Sequence, residues 1–160
     1  MLIIHPPLTK PCEPPAALAY LAGSLSSHGI ENTICDMNIE ALHYLLTNTT
    51  EGQDTWSKRA IKNVSRNIEA LQKIATYKNR DKHKRAVADV NKVLEIAGTT
   101  FGIQLNLANY TDDRYSPQKS GDLILAAQNF SDNIFFSYFA PRLDELIEKS
   151  HAKHIGITGR

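Results

Sequence analysis

The sequence predicts an α/β protein with a partial Rossmann-like (flavodoxin-like) parallel sheet of about three strands and a large, mainly helical insertion. Two isoleucine-rich runs near the chain ends, residues 2–5 and 154–158, are typical of short strands buried on both faces of a parallel sheet. A strand–helix–glycine–strand pattern fills the first 36 residues, which is the length of one βαβ unit. Most of the remaining chain has helical periodicity, so we expect helices to interrupt the sheet.

The first βαβ unit has clear boundaries in the sequence. Residues 2–5 form the first predicted strand, which Pro6 ends because proline cannot donate to a sheet ladder. Residues 15–28 are predicted to be helical, since apolar side chains recur there at spacings of 3, 4 and 7. Gly29 can take the left-handed conformation that ends a helix, and residues 31–36 follow as the second predicted strand.

Three segments after the second strand carry apolar residues at helical spacing, and they lie at 39–46, 56–77 and 85–97. The two longer segments predict an antiparallel pair of helices joined by a charged connection at 79–84. Gly98 is expected to end the second of these helices.

The last third of the chain returns to the sheet. Residues 103–110 alternate weakly and predict an extended segment, and residues 123–130 predict a short helix. Pro141 is expected to open the final helix, because the first helical turn tolerates a residue without an N–H group. The predicted organisation has three parts: the first βαβ unit and following helix at 1–46, the helical insertion at 47–140, and a helix with the third strand at 141–160.

Composition argues against several classes of function. The chain carries 18 Lys plus Arg against 17 Asp plus Glu, whereas nucleic-acid binders usually have a large basic excess. No run of about 18 apolar residues occurs, so a membrane span is not expected. The apolar stretch at residues 2–4 is too short for a signal peptide. We therefore expect a cytoplasmic protein with no nucleic-acid or membrane partner.

Common catalytic and metal motifs do not occur at the predicted strand ends. The first strand is followed by Pro-Pro-Leu-Thr-Lys-Pro instead of a glycine-rich turn, and no P-loop occurs, which disfavours a nucleotide-type Rossmann enzyme. Cys12 and Cys35 do not form a Cys-x-x-Cys pair, and no base is identifiable beside Cys12. His151 and His154 are interpreted as solvated side chains. We predict no catalytic residue and no metal ligand in this chain.

Any ligand site is expected at one edge of the sheet. In open parallel sheets, ligands bind in the crevice outside the carboxyl ends of the strands. The loops that leave those ends here span residues 5–12, 36–39 and 158–160. This reasoning gives a location and does not name the ligand.

Four motifs in the first 46 residues together resemble the opening of the cobalamin-binding domain of cobalamin-dependent radical S-adenosylmethionine (radical SAM) enzymes. They are Ile-Ile-His-Pro-Pro at 3–7, Pro-Pro-Ala-Ala-Leu-Ala-Tyr-Leu-Ala-Gly-Ser-Leu at 14–25, His-Gly-Ile-Glu at 28–31 and Asp-Met-Asn at 36–38. The segment His-Ile-Gly-Ile-Thr at 154–158 is similar to the third strand of that family. The first 46 residues and this segment together make up about a third of the chain.

The resemblance implies a domain that holds cobalamin, most often a methyl carrier, flat against the carboxyl edge of the sheet. The first loop and the loop after the third strand would contact the corrin through packing and backbone groups. The cofactor-binding residues implied in this way are Pro6, Pro7, Leu8, Thr9, Lys10, Thr158 and Gly159. Most of this family supplies no axial histidine. The axial motif Asp-x-His-x-x-Gly is also broken here, since Ala86 follows Asp81 and His83 where glycine is required.

The resemblance also implies a following barrel, in which Cys-x-x-x-Cys-x-x-Cys binds a [4Fe–4S] cluster and S-adenosylmethionine. That triplet does not occur in the 160 residues, and a fourth and fifth strand are missing. We therefore expect a truncated N-terminal part with an incomplete cobalamin site, inactive alone and partnered in its parent enzyme by the barrel. The parent would be of a methyltransferase type or of a natural-product or peptide maturation type.

A different class of function stays open: a small α/β binding or regulatory module with no cofactor, whose helices dock a partner. This alternative requires an exposed apolar face on the helices at 56–97. The aromatic residues at 135–139 have no basic groove beside them in the sequence, which favours a core contact over base stacking. A sheet that stops at its third strand exposes an edge, and such an edge predicts self-association.

Overall fold

The computed structural model describes residues 1–7 and 15–158, and it confirms an α/β protein with a short parallel sheet. A short 3-10 helix, Phe130–Asp132, precedes the last long helix. The other elements in chain order are β1 (Leu2–His5), α1 (Ala16–Ser27), β2 (Thr33–Asp36), α2 (Met37–Asn48), α3 (Thr55–Lys62), α4 (Val64–Leu71), α5 (Ile74–Tyr77), α6 (Arg80–Thr99), β3 (Ile103–Asn106), β4 (Asn109–Asp112), α7 (Ser120–Gln128), α8 (Phe136–Ser150) and β5 (Ile155–Ile157).

The sheet is all-parallel, with the strand order β2-β1-β5. In its register, Leu2 lies opposite both Thr33 and Ile155. All four residues of β1 are buried, as expected for a central strand covered on both faces. The predicted fold class, a partial Rossmann-like sheet of three strands with many helices, is therefore confirmed.

Local signals explain the first βαβ unit. Helix α1 ends where the sequence predicts, because Gly29 takes a φ of +71° just past its C-terminus. Strand β2 passes directly into α2, and Asp36 joins the two elements. Its Oδ1 accepts hydrogen bonds from the N–H groups of Asn38 (3.1 Å) and Ile39 (3.2 Å), which are among the donors that a helix start leaves without partners.

The chain divides into two compact units. The first, here called the sheet unit, comprises Met1–Leu42 with Phe135–Arg160, and the second, the helical unit, comprises His43–Ile134. In the sheet unit, α8 packs against buried side chains of β1, β2 and the start of α2. The buried members of this cluster are Leu2, Ile4, Cys35 and Met37, and the partly buried side chains packed on them include Tyr138, Phe139, Leu143 and Leu146.

The helical unit is built around α6. This helix contacts α3, α4, α5 and β3, and its side chains Val90, Val93 and Leu94 are almost completely buried. Strands β3 and β4 form an antiparallel hairpin. Gly98 permits the close contact between α6 and β3, since a Cβ atom at this position would lie 2.4 Å from the carbonyl oxygen of Ile103.

The helices of this unit differ from the predicted pair. Residues 56–77 form three short helices instead of one, and the first break falls at Asn63, whose side chain donates to the carbonyl oxygen of Arg59 at 2.9 Å. The segment 79–84, predicted as a connection between two helices, instead forms the start of α6. Asn79 is the N-cap of this helix, since its side-chain oxygen accepts a hydrogen bond from the N–H of Lys82. Gly98 lies inside α6, and Gly102, with a φ of +69°, follows the helix end.

The expectation that Pro141 opens the final helix is wrong. Helix α8 begins at Phe136, so Pro141 stands in its interior, where proline removes a backbone hydrogen bond. The turn before it carries Tyr138 and Phe139, which pack against the buried cluster of the sheet unit. Burial of these aromatic side chains favours the earlier helix start, and it confirms that part of the aromatic segment belongs to a core.

Helix α6 has 20 residues, but charged side chains recur along it. Within residues 1–7 and 15–158, no helix combines the length and the apolar content needed to cross a bilayer.

Candidate functional site at the carboxyl edge of the parallel sheet

The strand order places a switch point at β1. The chain passes from β1 to β2 on one side of it, and returns to β5 on the other side. In open parallel sheets, ligands bind outside the carboxyl ends of the two strands where the order reverses, and these strands are β1 and β5 here. The two segments that meet at this edge, 3–7 and 154–158, are the ones that resemble strands of cobalamin-binding domains.

A buried polar pair occupies the ends of these two strands. His5 Nδ1 and Thr158 Oγ1 lie 2.9 Å apart. The N–H of Thr158 donates to the carbonyl oxygen of Ile4 at 2.9 Å, which extends the ladder between β5 and β1 by one residue. His5 and Thr158 are only 7% and 5% exposed. The pair therefore ties the end of β1 to the end of β5.

Three of the predicted cofactor-binding residues lie within the described part of the chain. Pro6 is half-buried, Pro7 is buried, and both follow β1 directly. Thr158 follows β5, so the structure brings it to the same sheet edge. The remaining four, Leu8, Thr9, Lys10 and Gly159, lie outside the described residues.

The side chain of Thr158, which the sequence predicts to lie at the cofactor site, forms hydrogen bonds within the sheet. Its hydroxyl contacts His5 and also lies 3.3 Å from the carbonyl oxygen of Ile4. Because both partners belong to β1, the Thr158 side chain links the end of β5 to the neighbouring strand. His5 was not among the predicted cofactor-binding residues, although it lies in the motif at 3–7 and begins the first candidate loop.

At the end of β2, the third strand end at this edge, the polar side chain also forms its hydrogen bonds within the protein. The Oδ1 atom of Asp36, at the end of β2, accepts two backbone N–H groups of α2. The described edge therefore combines the half-buried Pro6 and the buried Pro7 with polar side chains that form hydrogen bonds within the protein.

A second polar cluster lies in the sheet unit, where α2 and α8 meet. Glu40 accepts Arg142 Nε on Oε2 at 2.9 Å and Arg142 Nη2 on Oε1 at 3.2 Å, a two-point contact. Tyr138 donates its hydroxyl to Glu40 Oε2, and the Cys35 thiol lies 3.6 Å from Oε1. Arg142 also donates to Glu145 at 2.7 Å. No sequence motif signals this cluster, because Glu40 and Arg142 are 102 residues apart.

The cluster shifts its pKa values away from neutrality. Burial raises the pKa of the Cys35 thiol to about 11, and the Glu40 carboxylate adds to this rise. Burial and Glu40 likewise raise the pKa of Tyr138. Burial would raise the pKa of Glu40 as well, but hydrogen bonds from Arg142 and Tyr138 outweigh it and hold the pKa below its usual range. We interpret the cluster as a lock between α2 and α8, since no pKa in it is tuned toward neutral pH as acid–base catalysis requires.

The other cysteines and histidines considered in the sequence lie in different parts of the chain. Cys12 lies outside the described residues, and Cys35 belongs to the lock between α2 and α8. His151 ends α8 in the left-handed conformation, and both it and His154 are exposed. The His83 ring lies 4.8 Å from that of Tyr77, near the start of α6. Among the described residues, no group of three or more His, Cys, Asp or Glu side chains could hold a metal ion.

Comparison with protein families, with curated proteins and with solved structures finds no match. The structure therefore defines an α/β fold with a candidate ligand site at a switch point. The relation to cobalamin-binding domains rests on the sequence motifs alone.

Proposed function

We propose that the sheet unit is the cobalamin-binding domain of a cobalamin-dependent radical SAM enzyme. One observation carries the proposal. The two motif segments at 3–7 and 154–158 lie about 150 residues apart in sequence, yet they pair as parallel neighbours across the switch point. Their loops thus leave from the crevice where open parallel sheets bind ligands.

Apolar residues at this edge support the binding of a flat corrin by packing. The half-buried Pro6 and the buried Pro7 follow the end of β1, and His5 and Thr158 form a buried pair at the strand ends. His5 is 7% exposed and directs Nδ1 to Thr158, so its role here is to position the strand ends. This agrees with a family in which most members supply no axial histidine.

When bound, cobalamin would supply a cobalt centre that carries a methyl group. The residues of this chain would bind and orient it: Pro6 and Pro7 by packing, and Thr158 through the contact of its hydroxyl with His5, which ties the two strand ends together. The proposal includes a following barrel that holds a [4Fe–4S] cluster and S-adenosylmethionine, as well as a cytoplasmic location. In this proposal, that barrel also acts on the substrate.

The cofactor part is tested by adding hydroxocobalamin to the protein as its gene encodes it and recording the visible spectrum after desalting. We expect bound cobalamin in the wild type and weaker retention in Thr158→Val, which removes the hydroxyl and keeps the side-chain volume. Thr33→Val is the matched control, because Thr33 lies at the amino end of β2, opposite the proposed site. A colourless protein, or equal losses in the two variants, would contradict the proposal.

The radical part is tested by reading the gene beyond the codon for Arg160. A downstream Cys-x-x-x-Cys-x-x-Cys, followed by detection of a [4Fe–4S] cluster in the expressed protein, is the expected result. A stop codon directly after Arg160 would contradict this part while leaving the cobalamin test unaffected.

The cofactor-free alternative requires an exposed apolar face on the helices at 56–97. Helix α6 buries its apolar stripe, since Val90, Val93 and Leu94 are at most 1% exposed. The large exposed apolar side chains of the described residues in this region are Trp56, Ile74 and Tyr77. They lie on α3 and α5 and not along the longest helix, so the alternative has little support.

Self-association through the sheet edge is a further part of the proposal. Ile155 and Ile157 of the edge strand β5 are 43% and 72% exposed, although their register partners Leu2 and Ile4 are buried. An exposed apolar edge favours pairing with another chain. Sedimentation at increasing concentration is expected to show a dimer that Ile157→Lys abolishes, and a monomer at every concentration would contradict this.

A further inference from the structure

A cavity of about 660 Å³ lies within the helical unit, between α3, α4, α5 and α6. This volume is within the range of small-molecule sites. Polar side chains dominate its lining, and four of them are cations: Arg59, Arg66, Lys82 and Arg85. Asp89 is the one carboxylate among the lining residues.

Asp89 is already neutralised by its neighbours. Its Oδ1 accepts Trp56 Nε1 at 2.9 Å and Arg59 Nη2 at 3.3 Å, and its Oδ2 accepts Asn67 Nδ2 at 3.3 Å. The Asp89 side chain is 13% exposed, while that of Arg59 is 62% exposed. Asp89 therefore ties α3 and α4 to α6 and forms one wall of the cavity.

The other three cations of the lining carry excess charge. Within residues 1–7 and 15–158, the side chains of Arg66, Lys82 and Arg85 form no ion pair. They come from two different helices, α4 and α6, and line the same space. All three side chains are exposed, so solvent screens part of their mutual repulsion, and an anion bound between them would relieve the rest.

Buried neutral donors line the same cavity. Thr76 is 8% exposed, and its hydroxyl makes no hydrogen bond to the part of the chain that the structure describes. No side-chain nitrogen or oxygen atom of the described residues is fully buried without a partner, so this hydroxyl retains accessible surface. Asn63 and Asn67 add amide groups to the lining. A hydroxyl, amides and guanidinium groups together are the donors that phosphate oxygens accept.

We propose that this cavity binds a small molecule carrying a diphosphate or triphosphate group. A phosphomonoester carries about −1.5 to −2 charge near pH 7, so three uncompensated cations match more than one phosphate. A concave cavity favours a small ligand over a polymer, and the near-neutral net charge of +1 gives no basic surface for nucleic acid. This site is separate from the cobalamin proposal and uses none of its residues.

Binding can be followed by the fluorescence of Trp56, which is the single tryptophan of the chain and donates a hydrogen bond to Asp89 in the wall of the cavity. Titration with inorganic pyrophosphate is expected to change its fluorescence with saturation, and inorganic phosphate is expected to bind at least tenfold more weakly. The double variant Lys82→Gln/Arg85→Gln is expected to raise the pyrophosphate Kd at least tenfold. The matched control Arg80→Gln/Lys84→Gln removes the same charge from α6 outside the lining and is expected to change Kd less than twofold.

Several results would overturn the proposal. They are no saturable response to pyrophosphate, equal binding of phosphate and pyrophosphate, or equal losses in the two double variants. Single-stranded RNA that binds more tightly than pyrophosphate, with the same dependence on Lys82 and Arg85, would show a nucleic-acid site instead. Circular dichroism confirms that each variant is folded before its titration is interpreted.

Discussion

The sheet unit and the helical unit bury their apolar side chains in different ways. In the sheet unit only β1 is buried throughout, and the flanking strands expose Ile34 on one edge and Ile157 on the other. In the helical unit, α6 is surrounded by three helices and a strand, and Val93 and Leu94 are completely buried. The unit that carries the recognisable motifs thus has the more open core.

In this molecule, therefore, the unit that carries the motifs is not the more completely packed one. The motifs of the sheet unit specify loops at one edge of the sheet, while its outer strands contribute little burial: only Cys35 is buried in β2. The helical unit carries none of the motifs quoted for the sheet unit, yet its central helix organises both an apolar core and a polar wall around Asp89. The predictions below test this contrast, first through stability in order of decreasing effect and then through reactivity.

Replacing the central leucine of the helical unit is expected to have the largest effect. Leu94→Ala removes a fully buried side chain and should lower the free energy of unfolding by about 3 kcal/mol. Ile157→Ala, on the exposed edge of the sheet, should cost less than about 0.5 kcal/mol. Urea unfolding of both variants provides the measurement, and similar losses would show that the edge strand is packed as tightly as α6.

Two glycines provide a sharper test of the same contrast. Gly98→Ala would place a methyl group against the carbonyl oxygen of Ile103 and should destabilise by about 2 kcal/mol. Gly23, within α1, has nothing within 4 Å of the position of an added Cβ. Gly23→Ala should therefore stabilise by about 0.5 to 1 kcal/mol, because alanine favours helix more than glycine does. Thermal unfolding in which both variants shift in the same direction would contradict this pair of predictions.

The lock between α2 and α8 predicts a pH dependence of stability. The pKa of Glu40 is lowered in the folded state, so its contribution is complete above the ordinary carboxyl pKa of 4.5 and is lost as pH falls through the lowered value. Glu40→Gln should cost about 1 kcal/mol at pH 7, since solvent screens this partly exposed pair, and less at pH 3. Glu148→Gln, on the exposed side of α8, serves as the control. A loss that is independent of pH would contradict this account.

The last prediction concerns the reactivity of a buried thiol. With Cys12→Ser removing the other thiol, Cys35 should react with iodoacetamide at pH 8 about a hundredfold more slowly than in urea, because its pKa is raised to about 11. Adding Glu40→Gln should recover part of this rate, since the carboxylate raises that pKa further. Equal rates in the folded and unfolded protein would contradict the buried position of the thiol.

Short sequence signals predicted the strands and helices whose ends are set by neighbouring residues in the chain. Strand β1 and helix α1 were predicted almost to the residue, because a β-branched run and a glycine end mark them. The start of α8 was mispredicted, since packing of Tyr138 and Phe139 outweighs the preference of proline for a first turn. The polar clusters could not be predicted at all. Glu40 meets Arg142, and Asp89 meets Trp56, only after the chain has folded.

Site residues follow the same pattern. The motifs indicated Pro6, Pro7 and Thr158, and the sheet brings them to one edge, because parallel neighbouring strands end at the same edge of a sheet. The buried contact of Thr158 with His5 was not expected, since neither residue type signals a partner 153 residues away. The cationic cavity has no local motif, because its charges come from separate helices.

Amide hydrogen exchange with each ligand in turn is the most direct test of the central claim, which assigns cobalamin to the switch point of the sheet unit. We predict that hydroxocobalamin slows exchange at the ends of β1 and β5, at His5 and Thr158, and leaves α6 unchanged. Pyrophosphate, as the internal comparison, should slow exchange in α4 and α6 alone. Protection of α6 by hydroxocobalamin with no change at the strand ends would contradict the assignment.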